Sequence, residues 1–177
     1  HDLDFYIMQY KYSLKTFDLS TLENKSLVNR ILLVKDSFDK HIKRVRLFQK
    51  TILSNKIKKG VIHGDPKLSN FLFNTENSKV LSVIDLDTIS KGYLFTDLSD
   101  CLRSSCNSLG EDSNEISLVS FDLNICRKIL EGYFSACKGL LSRDEIDFLP
   151  YFIYLITFEL SIRFLTDFIS NNNYFNI

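Results

Sequence analysis

Residues 61–74 read VIHGDPKLSNFLFN, and residues 83–89 read VIDLDTI. The two stretches place His63, Asp65, Asn70, Asp85 and Asp87 around two apolar runs. Carboxylates are costly to hold beside a hydrophobic core unless something cationic meets them there. The runs NFLF and KVLSVID are β-rich and are separated by the turn-like NTENSK, which predicts a hairpin. With the turn centred between Asn77 and Ser78, Asn70 is expected opposite Asp85. VIH is expected to form a short strand, and the loop after it to present Asp65.

Working outward, residues 19–59 are polar and lysine-rich, with Phe38, Ile42, Val45 and Ile52 on one stripe. That spacing predicts one or two amphipathic helices, with Lys40, Lys43, Arg44, Arg46 and Lys50 on the solvated face. Lys58, Lys59 and Gly60 are expected to end the helical region. After Gly92 everything reads helical: a short helix over 96–107 and a longer one over 116–138. LSRDEIDFLP then opens with a capping box, Ser142 to Glu145. Pro150 is expected to end or kink that helix. Residues 151–170 are apolar almost all round and predict a central helix. The fold class expected is α+β, mainly helical, with a small hairpin carrying the chemistry.

The whole chain sets limits on function. Its 177 residues suit one well-cored domain and are short for two. Lys+Arg and Asp+Glu are both 22, so there is no basic footprint for nucleic acid or an anionic membrane. Cys101, Cys106, Cys126 and Cys137 form no C-x-x-C pair, which argues against a zinc site or a disulfide framework. Reduced thiols in a cytoplasmic protein are expected. The longest apolar run, FLPYFIYLITF, is too short to span a bilayer and is followed by Glu159. The chain opens HDLDFYIMQYKY with no initiator Met, which reads as a piece cut from something longer.

His63, Asp65 and Asn70 make H-x-D-x-x-x-x-N, and Asp85 and Asp87 make I-D-x-D. Phosphoryl transfer from ATP uses these residue types. One carboxylate accepts the proton of an attacking hydroxyl, while a carboxylate and an amide oxygen hold Mg²⁺ on the phosphates. Metal-bound phosphate would then be the cationic partner those carboxylates await. The bland alternative is a polar turn with Asp65 and Asn70 as turn or capping residues. It leaves the second aspartate pair without a reason.

These motifs resemble the aminoglycoside phosphotransferase and choline kinase family, distant relatives of protein kinases. Asp85 is followed by Leu86 and Asp87 rather than by Phe and Gly, and no A-P-E is present, so a small-molecule kinase fits better than a protein kinase. VIDLDTISKGYLFTDLSDCLRSSCN and the tail ELSIRFLTDFISNNNYF look most like the N-acetylhexosamine kinases. The resemblance implies that Asp65 is the catalytic base, that His63 braces its loop, and that Asn70 and Asp85 bind Mg²⁺. Asp87 would support the metal or bind it. Asp97, Asp100 and Arg103 would fall in a structural and substrate-side segment, for which a plain surface salt bridge is an equal alternative. Arg163 and Tyr174 would lie at the sugar; for Arg163 the alternative is a buried ion pair with Glu159, one helical turn away. The resemblance covers residues 61–177 and implies the C-terminal lobe of a kinase-like fold, without the lobe that carries the phosphate-covering loop and the ATP-binding lysine. Two other readings stand beside an ATP-dependent sugar kinase: a choline or aminoglycoside acceptor, and a non-catalytic sugar-binding module.

Overall fold

The computed structural model describes residues 2–17, 25–55, 57–110, 113 and 115–170. Described residues are mainly helical and carry two small antiparallel sheets, so the expected α+β class stands. The chain divides into two compact units, one of residues 1–54 and 157–177, the other of residues 55–156.

The first unit contains α1 (Leu3–Thr16), α2 (Lys25–Ser54) and most of α6 (Leu149–Ile169). Asp2 caps α1 by accepting from Phe5 N at 3.1 Å. The stripe read from the sequence is buried at Ile42, Val45 and Ile52, while Lys40, Lys43, Arg44, Arg46 and Lys50 are exposed. Phe38 stacks between Tyr10 and Phe158, with ring centroids 5.7 and 5.4 Å away. Tyr10 is fully buried, and its hydroxyl has no hydrogen-bond partner among the described residues. Burial, then the nearby Asp39 and Asp36 carboxylates, push that phenol up to about 12.

The second unit carries the motifs. Strand β1 (Lys59–Ile62) pairs antiparallel with β4 (Ser90–Tyr93), and β2 (Phe71–Phe73) pairs with β3 (Val80–Val83). Helix α3 (Leu94–Ser105) lies against β1, β4, the 3-10 turn Leu68–Asn70 and α4 (Leu123–Ala136). Phe95, Leu98, Leu102 and Cys106 form its buried face, and Phe152 packs on Phe95 and Tyr93 at 5.8 and 5.4 Å. The predicted capping box is present: Ser142 opens the single turn α5 (Arg143–Ile146), and the Glu145 carboxylate answers it. Glu145 also accepts from Lys58 N at 3.1 Å, anchoring the entry to β1.

Several expectations need correction. Helix α2 stops at Ser54, and Lys59 and Gly60 begin β1 instead of ending a helix. Residues 90–93 are a strand, because SKGY is recruited by β1 without any alternation of its own. The hairpin register is one residue off: Phe71 faces Val83, and Ile84 N donates to Asn70 O at 2.9 Å, so Asn70 opposes Ile84 and not Asp85. The turn, with Ser78 left-handed at φ 55°, centres between Glu76 and Asn77, one position earlier than expected, so Phe73 faces Val80; the ladder then shifts between Leu72 and Phe73, and the bulged Leu81 recovers part of that offset. The long helix expected over 116–138 is a 3-10 turn at Ile116–Leu118 followed by α4, which starts where Asp122 caps Asn124 N and Ile125 N. Pro150 neither ends nor kinks a helix; it sits in the first turn of α6, where no amide donor is needed.

Candidate active site

The loop after β1 is built around His63, whose four polar atoms are all engaged. Its backbone N–H donates to Asp97 Oδ2 at 2.6 Å, and the next amide, Gly64 N, donates to Asp97 Oδ1 at 3.0 Å. Its carbonyl accepts from Thr88 Oγ1 at 2.7 Å. On the ring, Nδ1 accepts from Asp65 N at 3.3 Å and Nε2 contacts Ile84 O at 2.9 Å. With Nδ1 accepting an amide hydrogen, Nε2 is the ring atom that can donate to the Ile84 carbonyl. His63 thus joins the loop to the segment that carries Asp85 and Asp87.

Gly64 permits this turn. Its φ is +93°, and a Cβ there would lie 2.7 Å from Thr88 O and 3.0 Å from Thr88 Cβ. A side chain would meet both an unfavourable backbone region and an occupied space.

Asp65 follows, with its side chain about one-third exposed at 32%. Its carbonyl accepts from Lys67 N at 2.9 Å and from Asn70 Nδ2 at 2.8 Å, closing the loop into a compact turn. Its Oδ2 lies 2.7 Å from Lys67 Nζ and 3.5 Å from Asn70 Nδ2. The carboxylate is therefore steadied by a cation and an amide on one oxygen. Asn70 is buried at the end of the 3-10 turn, and with Nδ2 on Asp65 its Oδ1 is left as an acceptor. The Ile84–Asn70 backbone bond sets Asp85 one residue beyond the pair.

Asp85 adopts φ 65°, ψ 56°, a left-handed conformation that aspartate tolerates better than most residues, and Asp87 lies in the 3-10 turn Leu86–Thr88. Both are exposed. Among the described residues no three of His, Cys, Asp and Glu gather as a metal cage. Mg²⁺ takes one or two carboxylates, waters and the substrate's phosphates rather than an all-protein shell. The oxygens of Asn70 and Asp85 are the hard donors it favours.

His63, Asp65, Asn70, Asp85 and Asp87 all lie in the second unit. Arg163 belongs to the first, where its guanidinium lies 5.0 Å from the centroid of the Tyr6 ring. Glu159, one turn earlier on α6, is buried. Tyr174 lies outside the described residues. Arg103 and Asp100 make a pair through Nε and Nη2, both at 2.8 Å from Oδ1. Asp100 is buried, so this is not a plain surface salt bridge.

Lys67, in the loop itself, escaped the sequence reading, although the signal was there in the spacing D-P-K. Asp97 was expected in a structural or substrate-side segment, but its partner, the loop 34 positions away at His63, is visible only once α3 is packed against it.

A loop carboxylate, an amide oxygen and a second carboxylate are residue types that phosphoryl transfer uses. A sequence model of the phosphotransferase enzyme family, APH, matches residues 13–121, more than half of the chain. The chain belongs to that family. Membership implies ATP as phosphoryl donor, a small-molecule acceptor and, as a rule, a divalent metal. No helix among the described residues is long and apolar enough to cross a membrane.

Proposed function

We propose that this protein transfers a phosphoryl group from ATP to a hydroxyl of a small sugar, an N-acetylhexosamine, and that residues 1–177 form the lobe bearing the catalytic loop. The observation that carries the reading is Asp65: a partly exposed carboxylate in a loop fixed by Asp97, Lys67 and Asn70. Asp65 orients the acceptor hydroxyl and takes its proton as the new phosphorus–oxygen bond forms. Lys67, already 2.7 Å from Oδ2, steadies that oxygen and adds positive charge beside the phosphates. His63 holds no mobile proton in this scheme and acts by bracing the loop. Mg²⁺ bound by Asn70 and Asp85 would neutralise phosphate charge, with Asp87 in support.

The choice of acceptor rests on the resemblance of residues 61–177 to N-acetylhexosamine kinases, which also assigns Arg163 and Tyr174 to the sugar. Zero net charge gives no support to a cationic acceptor such as choline or an aminoglycoside. The test uses the full gene product, scanned against a panel of sugars with ADP release as readout. Asp65→Asn should abolish most of the kcat and leave the fold intact, and Arg163→Lys should raise KM for the sugar far more than for ATP. Near-normal turnover in the Asp65 variant removes it from the base role. A panel in which choline or an aminoglycoside outruns every sugar changes the acceptor.

A further inference from the structure

Two hydrogen bonds tie the Asp85–Asp87 segment to the catalytic loop, and both end on His63. Ile84 O, just before Asp85, meets His63 Nε2 at 2.9 Å. Thr88 Oγ1, just after Asp87, donates to His63 O at 2.7 Å. The same threonine fills the space that Gly64 leaves open: its carbonyl, Cβ and Oγ1 lie 2.7, 3.0 and 3.1 Å from where a Gly64 Cβ would stand. The segment is thus pinned at each end, once by an imidazole and once by a hydroxyl.

From this we propose that Thr88 is a positioning residue for phosphoryl transfer, setting the spacing between the base loop and the metal-bearing segment through its bond to His63 O. The inference rests on the phosphotransferase reading and deepens it. Asp65 lies two residues from His63 and Asp85 three residues from Thr88, so a shift at this bond moves the base relative to the carboxylate that faces the phosphates. Misplacement of about an ångström in such a constellation is enough to slow catalysis strongly. The bond is also solvent-exposed, so water can replace the lost donor on His63 O and overall stability should change little. Position, not stability, is what the hydroxyl supplies.

Thr88→Val keeps the branched shape packed on Gly64 and removes the donor, while Thr88→Ser keeps the donor and trims a methyl. In the full gene product with a phosphorylated acceptor, Thr88→Val is expected to lower kcat about tenfold, to raise the Mg²⁺ needed for half-maximal rate, and to leave KM for the acceptor within about twofold. Thr88→Ser is expected to stay close to the wild type, with thermal midpoints alike in all three. A second measurement needs no turnover: amide exchange at His63 and Gly64 should be faster in Thr88→Val than in wild type or Thr88→Ser. Normal kcat in Thr88→Val, or a serine variant as slow as the valine one, overturns the positioning role. Unchanged exchange in Thr88→Val overturns the clasp itself. A wild-type protein that phosphorylates nothing overturns the functional reading instead, and the exchange result then judges the clasp alone.

Discussion

Asp97→Ala should loosen the loop after β1 by removing a side chain that holds both of its leading amides. Asp97 Oδ2 accepts from His63 N at 2.6 Å and Oδ1 from Gly64 N at 3.0 Å. Hydrogen bonds to a charged group contribute about 1.5–3 kcal/mol net each, so the pair spans roughly 3–6 kcal/mol. Asp97 is half-buried, and water can reach the space left by alanine, which places the expected loss at the lower end, about 3 kcal/mol. Asp97→Asn is the sharper variant. Its amide oxygen can keep one bond, but its NH₂ then points at an N–H, so about 2 kcal/mol should go without any change in shape. Urea unfolding at pH 7 followed by far-UV circular dichroism reads the stability, and amide exchange at His63 and Gly64 reads the loop. Both amides should lose protection in either variant, with the m-value unchanged. If Asp97→Ala stays within about 0.5 kcal/mol of wild type and both amides remain protected, the brace described here does not hold the loop.

Other expectations follow from single residues. Gly64→Ala should destabilise by more than about 1 kcal/mol and impair turnover, since a methyl at φ +93° meets the backbone oxygen of Thr88; thermal melts read the first effect. Tyr10→Phe should be neutral or stabilising by up to about 1 kcal/mol, because it deletes a buried hydroxyl that has no partner among the described residues; a clear loss in urea midpoint would expose a missed partner. Burial, and then Cys126 beside it, push the Cys106 thiol up from 9.0 to about 11. Below pH 9 the thiol is protonated in folded and unfolded chains alike. Between pH 9 and 11 the unfolded chain releases the proton more readily, so stability should fall across that window. Cys106→Ala should flatten the slope of urea midpoint against pH, and an unchanged slope would assign the loss to other groups.

What could be read in advance was what is local. The Phe38–Ile52 stripe, the Ser142 capping box and the apolar run of α6 each act within a few residues, and each is found where its pattern puts it. The loop from His63 to Asn70 is likewise local, since its internal bonds close over two to five positions. What could not be read depends on distant partners or on one unusual torsion. Strand β4 exists because β1 pairs with it, not because SKGY alternates. The hairpin register is set by a turn centred between Glu76 and Asn77 and by a bulge at Leu81 that recovers part of the offset, neither of which has a fixed sequence signature. Asp97 could be placed in a structural segment by resemblance, but which backbone it holds is known only once the fold carries it to the loop.

Strand β3 has a consequence for how this protein behaves at concentration. Val80–Val83 and Ile84 are exposed, and among the described residues β3 pairs with β2 alone, which leaves its other side an open strand edge. A short, β-prone, uncharged stretch with an open edge is a template for strand-to-strand aggregation. Its flanks are Lys79 and Asp85, charges of the kind that act as gatekeepers for such segments. Beside its proposed metal role, Asp85 is then expected to protect solubility. Replacing it by alanine removes a charge from the end of an aggregation-prone strand. Inactivity of that variant therefore reports on metal chemistry only where light scattering shows that the protein has stayed dispersed.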